Sequence, residues 1–125
     1  MRGFAAVVPS DPNHGQAVAW LAVNREPLIT SDYVVDETLT LLRARGERMR
    51  AVLLGKQFFV SAVAQIHFLT ESELRSAWET FQKYDDKNWS FTDCSSKVVI
   101  EQLGITEAFA FDHHFHQFGK VQVVP

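Results

Sequence analysis

The residues of this chain that are best suited to chemistry are acids that follow short apolar runs. Asp32 and Glu37 follow one such run, and Asp112 follows another directly. Asp93 joins them if the helix that it opens begins at the same edge of the sheet. Carboxylates brought together repel one another unless a cation lies between them. Hard oxygen ligands of this kind favour Mg²⁺ or Mn²⁺, so the pattern predicts a divalent-metal site.

Glu37 and Asp93 also have a purely structural interpretation. On a helical wheel Glu37 lies at the edge of an apolar arc, beside Val34 and Leu41, whereas its neighbour Asp36 lies opposite. Glu37 is therefore either a carboxylate that meets a cation or a first-turn acid that favours the helix dipole. The segment 90–93 has the Ser-x-x-acid form of a capping box, which begins a helix without any further function. Both interpretations stay open for each acid.

A histidine cluster next to Asp112 suggests a different metal. His113, His114 and His116 follow this acid, and imidazole is a common zinc ligand. However, Cys94 is the chain's single cysteine, and no second Cys/His pair has ligand spacing. A zinc-dependent hydrolase that uses Asp112 is therefore the weaker hypothesis.

A basic stretch lies between two predicted helices and is interrupted only by Glu47. It either contacts phosphates or is a solvated helix hairpin whose arginines pair with carboxylates. Its members are Arg43, Arg45, Arg48, Arg50 and Lys56.

The composition limits the protein class. With 125 residues, 46% of them hydrophobic and 22% charged, the chain has the size and balance of one globular domain over residues 1–125. A net charge of −3 excludes a global basic field. One cysteine and the lack of a signal-peptide pattern predict a cytoplasmic protein, and no apolar run approaches the ~20 residues of a membrane span.

The elements that position the acids follow from apolar periodicity and turn residues. Strands are predicted at 27–30, 65–69, 108–111 and 121–124, and they alternate with helices at about 17–23, 33–45, 47–59, 70–84 and 92–103. Alternation of this kind predicts an α/β fold with a mainly parallel sheet covered on both faces. Trp20 and Trp78 are predicted to lie in the core, and Trp89 either flanks the site or covers it.

Four segments together resemble a PIN domain of the VapC toxin type, and their order and spacing match over nearly the whole chain. This resemblance implies a three-layer α/β/α fold, Mg²⁺- or Mn²⁺-dependent cleavage of RNA, a VapB-type antitoxin partner and a homodimer. The segments are 11–14 (DPNH), 32–39 (DYVVDETL), 89–94 (WSFTDC) and 109–115 (FAFDHHF).

The resemblance also assigns the site. Glu37, Asp93 and Asp112 match the acids that bind the metal and catalyse the reaction, and Ser90 or Thr92 matches a nearby hydroxyl position. Asp32 and Asp36 do not match acidic site positions.

One part of the family pattern is missing from the sequence. PIN domains open with a hydrophobic strand that ends in the first metal-binding Asp, whereas residues 2–9 resemble the short helix that follows it. The expectation is that the first strand and the first acid are absent, either because the native product is longer or because this form is catalytically impaired and binds RNA or a protein partner. As a third alternative, residues 4–8 occupy the vacant strand position, in which case no acid replaces the missing one.

Overall fold

Parallel strands form one sheet in the computed structural model, which describes residues 3–6, 28–61, 64–105, 107–110 and 122–124. Within these ranges the strands are β1 (Gly3–Ala6), β2 (Leu28–Ser31), β3 (Gln65–His67), β4 (Glu107–Ala110) and β5 (Gln122–Val124). Their order is β3-β2-β1-β4-β5, and every neighbouring pair is parallel. The prediction of an α/β fold with a mainly parallel sheet is confirmed.

Four helices accompany the strands in the described part of the chain. They are α1 (Asp32–Ala44), α2 (Arg48–Phe59), α3 (Glu71–Lys83) and α4 (Phe91–Gln102). Each begins and ends within two residues of its predicted bounds. The helix predicted at about 17–23 lies outside the described residues.

Local signals account for these helix boundaries. Ser31, Thr70 and Ser90 cap α1, α3 and α4, each side chain accepting a hydrogen bond from the backbone N–H three residues on. Gly46, after α1, and Gly104, after α4, have positive φ angles of 79° and 65°. Glycine adopts this left-handed conformation without the steric cost that a Cβ atom would add, so each ends its helix where the sequence predicts.

Helix α1 joins two apolar clusters. On one side Val34 packs with Phe4 of β1 and with Cys94 of α4. On the other side Val35 and Leu42 pack with residues of α2, including Phe58. Because α1 begins directly at the end of β2, these contacts hold its first turns against both the sheet and α4.

The central strand corrects part of the sequence prediction. Residues 2–9 were matched to a short helix, but Gly3–Ala6 form β1, the middle strand of the sheet, as in the third alternative above. Phe4 is completely buried, and β1 pairs with β2 on one side and β4 on the other. If the central position were empty, the facing edges of β2 and β4 would have no partner for their backbone hydrogen bonds. Any short apolar segment in an extended conformation can be that partner. The strand position is therefore filled, but by residues without a carboxylate.

Trp78 is a second correction. Apolar periodicity predicts that this side chain lies in the core, yet 53% of it is exposed on α3. The apolar periodicity of α3 correctly identifies the neighbouring Ala77 as a core residue, since Ala77 is fully buried. Trp78 lies at the margin of the same apolar face, and its bulky side chain extends into solvent. Trp20 lies outside the described residues. In the described part of the chain, no helix has both the length and the apolarity that crossing a membrane requires.

Candidate active site at the carboxyl edge of the sheet

The carboxyl end of β2 leads directly into the helix that carries Glu37. Ser31 is the last residue of β2 and the N-cap of α1, and its buried Oγ accepts a hydrogen bond of 3.1 Å from the N–H of Val34. Glu37 lies one turn beyond Val34 and is half-buried. The neighbouring Asp36 is exposed, as the helical wheel predicts. The strand-to-helix junction thus places Glu37 close to the sheet edge where α/β proteins bind ligands.

Asp93 lies in the first turn of α4 and is part of a complete capping box. Its Oδ2 accepts a hydrogen bond of 2.9 Å from the N–H of Ser90, and its own N–H donates to Ser90 Oγ at 3.0 Å. Asp93 as a residue is 6% exposed. The structural interpretation of Asp93 is therefore confirmed. Since the reciprocal bonds hold the side chain in one orientation, they are equally compatible with a ligand role.

The helices that carry the two acids pack against each other. Val34, one turn before Glu37, and Cys94, the residue after Asp93, belong to one buried cluster. Glu37, in the second turn of α1, and Asp93, in the first turn of α4, therefore lie on adjoining helices. The third predicted acid, Asp112, lies outside the described residues, as do His113, His114 and His116.

The donor set decides which metals the described residues could hold. Within the described ranges, no group of three or more His, Cys, Asp and Glu side chains is arranged to hold a metal ion. Glu37 and Asp93 offer carboxylate oxygens, the ligand type that suits Mg²⁺ or Mn²⁺. Burial, together with the charge of Asp93, raises the pKa of the nearby Cys94 thiol to about 11, despite the opposing effect of Lys97, so this thiol is protonated at neutral pH.

The hydroxyl residues beside Asp93 have defined backbone roles. Ser90 Oγ is occupied as the helix cap, and the carbonyl of Thr92 accepts a hydrogen bond of 2.7 Å from Ser95 Oγ. Trp89 is 5% exposed and packs against Tyr84, with ring centroids 4.7 Å apart. The sequence predicts that Trp89 either flanks the site or covers it, but the structure places this side chain in the buried cluster with Val34 and Cys94.

Sequence reasoning missed a polar cluster at the carboxyl end of β3. Glu73 accepts hydrogen bonds from the N–H of Thr70 at 2.8 Å and lies 2.9 Å from His67 Nε2. Asp32 Oδ1 accepts a hydrogen bond of 3.3 Å from the N–H of Leu69, which joins the start of α1 to the segment after β3. The capping signal of Thr70 and Glu73 is visible in the sequence. The pairing with His67 depends on the strand-to-helix angle, for which the sequence has no signal.

Glu73 is ionised in this cluster. Burial alone would raise the pKa of Glu73, but the Thr70 N–H bond and the interaction with His67 outweigh burial and lower it from the ordinary value. The stability that Glu73 contributes is therefore present at neutral pH and is lost as the pH falls through its lowered pKa.

The basic stretch lies at the opposite end of α1 from Ser31. The turn that joins α1 to α2 lies between Arg43 and Arg50. It begins at Arg45, eight residues after Glu37, which corresponds to about 12 Å of helix rise. The arginine side chains are exposed, and Arg50 forms an ion pair of 3.0 Å with Glu47. This supports the interpretation as a solvated hairpin for Arg50. Contact between the hairpin and RNA would require a substrate that extends well past the acids.

Comparison with known proteins identifies the family. The model of the PIN domain matches residues 4–121. The chain is 34% identical over 115 residues to the 23S rRNA-specific endonuclease VapC20 of Mycobacterium tuberculosis, covering 92% of this chain and 87% of that protein. It is 33% identical over 89 residues to a VapC ribonuclease of Archaeoglobus fulgidus, covering 70% of this chain and 55% of the relative.

A solved structure agrees with these sequence matches. The crystal structure of M. tuberculosis VapC20, described as a Sarcin-Ricin loop cleaving toxin, superposes on this chain with a TM-score of 0.82 at 31% identity, and the match covers 100% of both chains. The strands and helices that carry Glu37 and Asp93 therefore belong to a fold shared over the full length of that protein. This chain belongs to the PIN domain family and, within it, to the VapC type.

Proposed function

We propose that this chain is a Mg²⁺- or Mn²⁺-dependent endoribonuclease of the VapC toxin type, which hydrolyses RNA phosphodiester bonds at an acidic site. The observation that carries the proposal is the arrangement of Glu37 and Asp93 near the N-terminal ends of two helices that pack together, α1 at the carboxyl end of the sheet and α4 against it. Relatives that are 33% and 34% identical are named as ribonucleases.

The proposed metal ligands and catalytic acids are Glu37, Asp93 and Asp112. A divalent ion held by these carboxylates supplies a Lewis acid for the scissile phosphate. Asp93 is held for this role by the N–H of Ser90, which leaves its carboxylate little rotational freedom. Ser90 and Thr92, both half-buried, flank the proposed site.

The proposal includes the partners and setting of a VapC toxin. The substrate is RNA, and Arg43, Arg45, Arg48 and Arg50 contact phosphates that lie beyond the site. A VapB-type antitoxin binds the chain, which acts as a cytoplasmic homodimer of single domains over residues 1–125. Support comes from the VapC-type family assignment and from the exposed arginines on the α1–α2 hairpin.

The test is RNA cleavage in the presence of Mg²⁺ or Mn²⁺. Glu37→Gln, Asp93→Asn and Asp112→Asn are each expected to reduce cleavage strongly, and a chelator is expected to abolish it until metal is restored. Asp36→Asn is the matched control, since Asp36 is the exposed neighbour of Glu37 on the same helix. Unchanged cleavage in all three site variants would refute the assignment.

A specific observation also favours a second candidate, a catalytically impaired PIN domain that binds RNA or protein. Strand β1 carries no acid, and the first carboxylate after it is Asp11, outside the described residues. Ala6 ends β1 beside Ala110 of β4, two residues before Asp112. If a missing acid limits activity, Ala6→Asp will increase metal-dependent cleavage, while Ala6→Asn will not. Turnover by the unaltered chain would exclude this second candidate.

A further inference from the structure

Four aromatic side chains form a continuous run of ring contacts outside the core. Tyr33 contacts Phe91 with centroids 5.9 Å apart, Phe91 contacts Phe81 at 5.9 Å, and Phe81 stacks on Trp78 at 6.1 Å. The rings come from α1, α4 and α3, so the run crosses three helices. We refer to these four side chains as the aromatic run.

One end of the aromatic run adjoins the acidic site. Tyr33 is four residues before Glu37 on α1, a spacing that places both on one face of a helix. Phe91 is the first residue of α4, between the cap Ser90 and the acid Asp93. The run therefore begins at the two proposed catalytic acids and leads away from them along the surface.

The other end of the run is exposed to solvent. Trp78 is 53% exposed and Phe81 is 40% exposed, while Tyr33 and Phe91 are half-buried. The Trp78 and Phe81 rings are nearly parallel, at 22°, and stack on each other. Contiguous exposed aromatic surface of this kind is unusual on a soluble domain and marks a binding site.

Unpaired nucleobases are the occupants that this geometry fits best. Proteins hold single-stranded RNA by stacking its bases on aromatic side chains, and every base has a flat face to offer. A nuclease that cuts at Glu37 and Asp93 must also hold the nucleotides next to the cut bond. The aromatic run starts beside that position, where Tyr33 contacts Phe91.

We infer that the aromatic run of Tyr33, Phe91, Phe81 and Trp78 is a base-stacking surface for unpaired RNA next to the cleavage site. This inference rests on the proposed ribonuclease function, because it takes RNA as the ligand. Stacking is largely insensitive to base identity, so the surface contributes affinity and selects unpaired over paired RNA.

The test measures RNA binding separately from cleavage. A labelled single strand of about eight nucleotides is titrated with the full chain carrying Glu37→Gln, so that the probe stays intact, and anisotropy is recorded. Trp78→Leu and Phe81→Leu are each expected to weaken binding by about 5- to 150-fold, which corresponds to about 1–3 kcal/mol per stacked base. The same oligonucleotide with abasic sites should bind the parent chain as weakly as it binds the variants.

Leucine is chosen because it keeps apolar area but has no ring. Phe59→Leu is the matched control, since Phe59 is 67% exposed on α2 and outside the aromatic run, and its binding should not change. Thermal unfolding verifies that each variant is folded, and sedimentation velocity reports the oligomer. Unchanged RNA affinity in both variants would overturn the inference. It would also be overturned if affinity fell only in variants that had lost the dimer, because the aromatic run would then be a protein interface. Failure of the unaltered chain, with Glu37 in place, to cleave RNA while ring-dependent binding is intact would refute the nuclease proposal instead.

Discussion

Two substitutions separate the observed capping role of Asp93 from its proposed role as a metal ligand. Its carboxylate accepts a hydrogen bond from the N–H of Ser90 in the capping box, and it is one of the proposed metal ligands. Asp93→Asn keeps an oxygen that can accept the Ser90 bond but removes the charge. Asp93→Ala removes both. A capping role alone predicts that only stability changes, whereas a ligand role predicts that both variants lose activity.

The size of the stability effect follows from the bond that is lost. A hydrogen bond to a charged group contributes about 1.5–3 kcal/mol and a neutral one about 0.5–1.5 kcal/mol. Asp93→Ala should therefore cost about 2 kcal/mol and Asp93→Asn about 1 kcal/mol. For a chain of 125 residues, 1 kcal/mol shifts the melting temperature by about 4 °C, so the expected decreases are about 8 °C and about 4 °C.

The assay combines thermal unfolding, followed by circular dichroism, with RNA cleavage well below the melting temperature. Both Asp93 variants are expected to lose cleavage by about 100-fold or more, beyond the 10- to 100-fold typical of a residue that only supports a ligand. Glu73→Gln is the matched control, because Thr70 and Glu73 form the same capping box at the start of α3. It should lower stability and leave cleavage unchanged.

Two outcomes would refute this reasoning. If Asp93→Asn cleaves RNA like the parent chain, Asp93 is a helix cap and not a ligand. If Asp93→Ala melts at the same temperature as the parent, the Ser90 bond contributes nothing to stability, and the capping interpretation is wrong as well.

Three further predictions concern other parts of the molecule. The pKa of Glu73 is lower in the folded chain than its ordinary value of 4.5, so the free energy of unfolding of the parent chain should decrease as the pH falls below about 4.5. In an acid titration, Glu73→Gln should not show the share of this decrease that is due to Glu73. Cys94, 1% exposed and with a pKa of about 11, should react with a thiol reagent at pH 8 only as fast as the chain unfolds, and rapid labelling of the native chain would contradict this. Replacing Arg48 and Arg50 with Gln should weaken RNA binding and reduce its salt dependence, and a salt-independent affinity in the parent would show that the hairpin does not contact phosphates.

Most described elements could be predicted because their boundaries depend on local chemistry. Ser31, Thr70 and Ser90 are helix caps that the sequence shows directly, and Gly46 and Gly104 end the preceding helices through positive φ angles. The error at β1 has a different origin. Gly3–Ala6 is a strand because neighbours on both sides supply hydrogen bonds, which is a property of the sheet and not of four residues.

The candidate site was predictable in part for the same reason. The sequence predicts the capping box of Asp93, and the structure contains it. The packing of α1 against α4, the pairing of His67 with Glu73 and the ring contacts of Trp78 join residues far apart in the chain, and no local pattern reports them. Periodicity predicts that an aromatic residue lies on an apolar face, but it does not predict what the ring will contact or how much of it stays exposed.

The central strand shows that fold and chemistry make different demands on the same position. Completing the sheet requires only a short extended segment with apolar side chains, and Gly3–Ala6, with the fully buried Phe4, meet that requirement. A fourth acid at the carboxyl end of this strand requires one particular side chain at one residue, which β1 does not have. Stability measurements therefore cannot report whether the site is competent, because the backbone pairs of β1 form with or without a carboxylate. A comparison of Ala6→Asp with Ala6→Asn in a cleavage assay addresses that question, since the two side chains are similar in size and differ in the charge that a divalent cation requires.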